Sequence, residues 1–156
     1  SDADEIPNPK ILKSIKRIYE THASDEFYTF NQNFYCYYLN VLKEKNWAGS
    51  SMASFKKLKN YSYNLLRSQP CFLIKNGGWH FSFMGGSSQV KKKITSYSAA
   101  DLVNPHVLNS VENNINNNID PFFRSRLTTV PLDDTFPEFL LKNIDKYKHL
   151  VKEELV

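Results

Sequence analysis

The sequence predicts a mixed α/β domain in which a sheet is flanked by helices. Three observations predict it. Segments with apolar residues at helical spacing open and close the chain, aromatic runs next to glycine read as strands, and the two kinds of segment alternate. At 156 residues the chain is one domain long and can bury roughly 70% of its unfolded surface. Its composition, 41% hydrophobic, 14% aromatic and 23% charged, excludes disorder, collagen and coiled coil.

The first helix is predicted over residues 9 to 21. Asn8 caps it, Pro9 suits its first turn, and Ile11, Leu12, Ile15, Ile18 and Tyr19 recur on one face. From Glu26 to Val41 aromatic residues dominate, which predicts extended structure in two parts around Asn31-Gln32-Asn33. Trp47 to Ser51 reads as a turn or short strand, and a helix from Ser51 runs through the Leu58 region. Residues 71 to 84 read as two strands joined by a turn at Gly77-Gly78, and Gly85 to Ser88 introduces a helix over 89 to 97. Pro105 opens a helix to about Asn114, the asparagine tract 113 to 118 is a polar helix end or loop, and Thr128 to Leu132 is a short strand. Pro137 begins the last helix, with Phe139, Leu140, Leu141, Ile144, Tyr147, Leu150 and Val151 on its core face.

Twenty Lys and Arg against sixteen Asp and Glu give a net charge of +4. The densest basic run, Lys91-Lys92-Lys93, is too short to argue for a nucleic-acid partner. No stretch is long and apolar enough to span a membrane, and the acidic start lacks the pattern of a signal peptide. The absence of an initiator Met reads as a processed chain or a piece of something longer. Cys36 and Cys71 are too isolated for a zinc site or redox pair, so a reduced, cytoplasmic setting is the expectation.

Three segments carry candidate chemistry. Asp2-Ala3-Asp4 sets two carboxylates two residues apart. In extended backbone they would point the same way about 6 to 7 Å apart and could approach one hard cation, Mg²⁺ or Mn²⁺; the alternative is an acidic tail in water. Gly77 to Gly86 places Trp79 and His80 between glycines that admit close approach; a Trp face can stack on a sugar and a neutral His can bind metal or hydrogen-bond. The alternative there is a core strand with a satisfied histidine. Lys93 could meet phosphate and Asp101 could accept a proton, or both belong to a solvated face. Asp120 to Arg124 and Asp133-Asp134 are weaker candidates.

Taken in order, Ser1-Asp-Ala-Asp-Glu-Ile-Pro7, Tyr37-Tyr38-Leu39-Asn40, Trp47 with Gly49-Ser50, and Gly78-Trp79-His80-Phe81-Ser82 resemble glycosyltransferase family 17. Lys93-Ile94, Asp101, and Phe136 to Asn143 with Lys146-Tyr147 continue the likeness over essentially the whole chain. The resemblance implies the C-terminal, acceptor-side portion of a GT-A type fold. The nucleoside-binding βαβ half would lie before Asp2, on a preceding segment or another polypeptide. It implies an inverting transfer of a sugar, N-acetylglucosamine foremost, from a UDP-sugar to a glycan or glycoprotein. Asp2 and Asp4 then hold Mn²⁺ or Mg²⁺, Asp101 is the first choice of base and Glu5 the second, His80 completes or orients the site, Trp79 lines the acceptor sugar, and Lys93 and Arg124 meet the diphosphate. Animal relatives work in the Golgi lumen, the alternative compartment. Ala99 stands where many microbial relatives carry histidine, and the rival reading is a non-catalytic carbohydrate-binding or interaction module.

Overall fold

A computed structural model of the chain describes residues 1–22, 26–59, 71–96 and 103–153, and the side chains of 18–22 are not among those described. The first elements are β1 (Glu5–Pro7), α1 (Pro9–His22), β2 (Tyr28–Cys36), β3 (Val41–Met52), α2 (Phe55–Leu58) and β4 (Phe72–Ser82). There follow α3 (Gly86–Thr95), α4 (Pro105–Asn109), α5 (Val111–Asn116), β5 (Thr128–Thr129), α6 (Glu138–Lys142), α7 (Ile144–Tyr147) and a 3₁₀ turn at Lys148–Leu150. The fold is mixed α/β, as expected, with a five-stranded sheet in the order β1-β4-β2-β3-β5. Two compact units share it. Ser1–Asn33 with Lys45–His80 form one, Phe34–Glu44 with Phe81–Val156 the other, so β2, β3 and β4 each contribute residues to both.

In the first unit, α1 starts where the sequence places it. Asn8 Oδ1 accepts from the Lys10 N–H at 3.1 Å, and the Asn8 carbonyl accepts from Leu12 at 2.8 Å. Asn8 also joins the helix to β4, donating its backbone N–H to the Gly77 carbonyl at 2.8 Å. Three expectations are corrected here. Asn31-Gln32-Asn33 does not divide the aromatic segment: Gln32 is fully buried within β2, and its Nε2 donates across the sheet to Ser50 Oγ at 3.2 Å. Ser51 does not open a helix but lies in β3, tied to Thr29 at 3.2 Å; the capping hydroxyl is that of Ser54, which accepts from Lys57 N–H.

The third correction concerns Gly77-Gly78, which lie inside one continuous strand, β4. Their service is close approach rather than turning. A Cβ on Gly77 would stand 2.6 Å from Phe30 Cβ and 2.7 Å from Phe30 Cα. At Gly78, with φ of +142°, it would run into the Ile6 carbonyl. These glycines let the backbone of β4 lie against its neighbours.

The second unit gathers Tyr35, Val41, Val90, Ile94, Val111 and Ile115 into its core, all buried. Tyr35 stacks on Phe81 at 5.3 Å and meets Phe136 at 5.0 Å. β5 pairs with β3 through Val41↔Thr129 and Leu42↔Thr128, a shorter strand than residues 128 to 132. The helix from Gly86 begins earlier than expected. The helix from Pro105, capped by Asn104 onto the Val107 N–H at 3.0 Å, breaks at Ser110 into two short pieces. The asparagine tract behaves as expected of a helix end: Asn118 takes a left-handed φ of 53°, and Lys152 Nζ donates to the last carbonyls of α5, Ile115 at 3.1 Å and Asn116 at 3.0 Å. A cation there complements the helix C-terminus.

The last helix is interrupted. Asn143 Nδ2 donates to the Phe139 carbonyl at 2.8 Å, so a side chain takes a group the helix would use and α6 ends. Of its seven expected core residues only Leu140 is fully buried, and Phe139 is 66% exposed.

A buried ion pair, Lys43 Nζ to Asp120 Oδ2 at 2.5 Å, anchors the loop after α5 to β3. Lys43→Met leaves the Asp120 carboxylate buried without its cation and is expected to lower stability by about 3–5 kcal/mol, read by urea unfolding. Burial pushes the nearby Cys36 thiol well above its ordinary range. At pH 8 a disulfide reagent is therefore expected to label one thiol, Cys71, in the native protein and both in denaturant.

Candidate functional site

The sequence Ser1 to Pro7 makes a turn followed by a short strand. The Glu5 N–H donates to the Asp2 carbonyl at 3.1 Å, closing a four-residue turn with Ala3 and Asp4 at its centre. Asp suits the first position of such a turn, which Asp2 occupies. The expected extended backbone over Asp2-Ala3-Asp4 is thus corrected to a turn, and the side-by-side carboxylate argument that rested on strand alternation goes with it. Asp2 is exposed and Asp4 half-buried.

From Glu5 the chain enters β1, antiparallel to β4 in the register Glu5↔His80, Ile6↔Trp79 and Pro7↔Gly78. That register brings the two most informative motifs together. Asp4 Oδ2 stands 3.6 Å from His80 Nε2, within ion-pair reach but beyond a hydrogen bond. The Trp47 ring of β3 meets the imidazole edge to face, centroids 4.3 Å apart and planes at 65°. His80 is only 7% exposed.

Below the turn lies a polar chain. Glu5, 4% exposed, accepts at Oε2 from the Asp2 N–H at 3.1 Å and from the Ser50 hydroxyl at 3.2 Å. Gln32 Nε2 donates to Ser50 Oγ at 3.2 Å. Three strands, β1, β2 and β3, thereby meet in one line of hydrogen bonds. Gly49 makes room for it: a Cβ there would collide with the Gln32 amide oxygen and approach Trp47 Cζ3 at 3.0 Å.

Two ligands of one ion, each about 2.1 Å from it, can be 3.6 Å apart, so Asp4 and His80 fit a shared divalent cation. Among the described residues no group of three or more His, Cys, Asp and Glu could hold a metal.

The remaining sequence candidates fall elsewhere. Trp79 is 7% exposed and, by alternation along β4, stands on the face opposite His80, its indole packed rather than presented to a sugar. Lys93 lies in the second unit, donating to Ser82 Oγ at 2.7 Å beside the Phe83 ring, and borders an open hollow of about 310 Å³ with Met84, Gln89, Lys92 and Ser96. Arg124 is also in the second unit, exposed, its guanidinium 5.2 Å from the Phe122 ring centroid. Asp101 and Ala99 lie outside the described residues. Sequence reasoning missed the role of Gln32, although a glutamine inside an aromatic, strand-like run is a signal for a buried polar partner.

Compared with known proteins, the chain matches no family model, no curated protein and no solved structure. Among the described residues no helix is long and apolar enough to cross a membrane.

Because Gln32 is fully buried and cannot swing away, Gly49→Ala is expected to cost about 1–3 kcal/mol of stability, read as a lower urea midpoint.

Proposed function

We propose that the chain is the acceptor-side part of an inverting, metal-dependent glycosyltransferase of GT-A type, moving N-acetylglucosamine from a UDP-sugar to a glycan acceptor. One observation carries the reading: the acidic opening and the Gly-Trp-His strand, far apart in sequence, meet with Asp4 Oδ2 3.6 Å from His80 Nε2. These are the two most specific segments of the resemblance to glycosyltransferase family 17.

In this reading Asp4 and His80 would hold Mn²⁺ or Mg²⁺. When bound, the cation supplies Lewis-acid neutralisation of the diphosphate. Trp47, only half-buried, takes the sugar-facing role first assigned to Trp79. The acceptor hydroxyl oxygen bonds to the anomeric carbon on the face opposite UDP. The bond from that carbon to the phosphate oxygen breaks with its electron pair, and the hydroxyl proton passes to a carboxylate. Glu5 already accepts two donors at one buried oxygen, which leaves the proton to a carboxylate other than Glu5.

Calorimetric titration with inorganic diphosphate tests the proposal. Diphosphate binding is expected to require Mn²⁺ and to weaken at least tenfold in Asp4→Asn. Binding of glycan alone, with no response to diphosphate and Mn²⁺, would instead identify a carbohydrate-binding module.

A further inference from the structure

The loop between α5 and β5, Ile119 to Leu127, ends in a tip of aromatic and basic residues, Phe122-Phe123-Arg124-Ser125-Arg126. We infer that this tip is a carbohydrate-binding platform of the second unit, taking a sugar that carries a carboxylate or phosphate. The sugar class rests on the transferase reading above, the acidic group on the charge of the loop. Phe123 is 43% exposed, and its φ of 60° is left-handed, a conformation costly for a bulky side chain and one that clusters at ligand sites. Three hydrogen bonds hold it there. The Phe123 N–H donates to the Asp120 carbonyl at 2.9 Å, the Asp120 N–H to the Ser125 carbonyl at 2.9 Å, and the Phe122 N–H to Asp120 Oδ1 at 2.9 Å. An antiparallel bridge, Ile119↔Arg126, closes the loop at its base.

The two phenyl rings have different surroundings. Phe122 is half-buried and meets Phe83 edge to face, centroids 6.2 Å apart and planes at 78°. It also seats the Arg124 guanidinium, 5.2 Å from its ring centroid. One face of Phe123 is backed by the His106 imidazole of α4, centroids 4.9 Å apart and planes at 19°, so its exposed surface lies away from that ring. A flat apolar face, fixed in advance beside hydrogen-bond donors, suits the C–H face of one sugar ring. The one carboxylate of the loop, Asp120, is fully buried against Lys43, so the charge shown to solvent is that of Arg124 and Arg126. Guanidinium groups pair bidentately with carboxylate and phosphate. Single-stranded nucleic acid uses aromatic rings in succession along a basic groove, whereas Phe123 is the one exposed ring of this loop.

Ligand-observed magnetic resonance titration of the whole chain with glucose 6-phosphate, glucuronic acid and glucose, all without metal, tests the inference. At least one of the acids is expected to bind about fivefold or more tightly than glucose, and the tighter of the two names the anion. Phe123→Ala is expected to weaken that acid about fivefold or more, while Phe123→Trp, which keeps a flat ring, retains it. Arg124→Gln and Arg126→Gln together are expected to bring it to the level of glucose. Acid-sugar affinity of folded Phe123→Ala indistinguishable from the wild type overturns the inference, as does a wild-type chain that prefers neither acid to glucose. Inorganic phosphate bound as tightly as glucose 6-phosphate also overturns it, being the mark of a bare anion patch. A thymidine oligonucleotide bound more tightly than either acid, and lost in Phe123→Ala, overturns it in favour of a nucleic-acid surface. Failure of diphosphate to bind with Mn²⁺ sinks the transferase reading alone; sugar binding that depends on Phe123 still upholds the platform.

Discussion

The Glu5 carboxylate is where the first unit's polar architecture converges. A carboxylate is costly to take out of water unless hydrogen-bond donors replace the lost hydration. Here a backbone N–H and a serine hydroxyl do so, the hydroxyl itself being supplied by a buried glutamine amide. The arrangement is directional, since each donor has one acceptor to serve. It forces β1, β2 and β3 into a single relation and sets the turn that carries Asp2 and Asp4.

Small residues make this convergence possible. Gly49 leaves space for the Gln32 amide, Gly77 for the backbone of β2, and Gly78 for the Ile6 carbonyl. With only five glycines in 156 residues, three are spent on close approach within one unit. The second unit solves a comparable problem with charge. Lys43 neutralises Asp120, and the Asp120 Oδ1 atom accepts from the Phe122 N–H at 2.9 Å, so a loop is fixed by one carboxylate used twice. Lys152 does the same for the end of α5, while Asn40 holds the backbone of Lys152 from both sides at 2.8 and 2.9 Å.

Much of this fold was legible in the sequence. The α/β class, the capped start of α1, the helix start at Pro105 and the asparagine-rich helix end all depend on local chemistry, and each stands close to where that chemistry puts it. The elements that were misread share one feature. Asn31-Gln32-Asn33, Ser51 and Gly77-Gly78 carry turn or helix-start chemistry by composition, but partners distant in sequence redirect them into strands. The last helix erred the opposite way, because a side chain of the helix itself, Asn143, ended it.

The candidate site divides along the same line. Sequence alone determined which residue types were available: carboxylates at the amino end, and an indole and an imidazole on a glycine-flanked strand. Only the tertiary structure decided that Asp2 to Glu5 is a turn, that Asp4 and not an extended pair approaches His80, that Trp79 turns inward while Trp47 meets the imidazole, and that Glu5 is buried behind the turn. The physical reason is strand register. Shifting a pairing by one residue exchanges the two faces of a sheet. Neither residues 1 to 7 nor residues 77 to 82 alone fix the match of Glu5 with His80; Gly78 fixes it by admitting the Ile6 carbonyl, and the Gln32–Ser50–Glu5 hydrogen bonds hold β1 from the other strands.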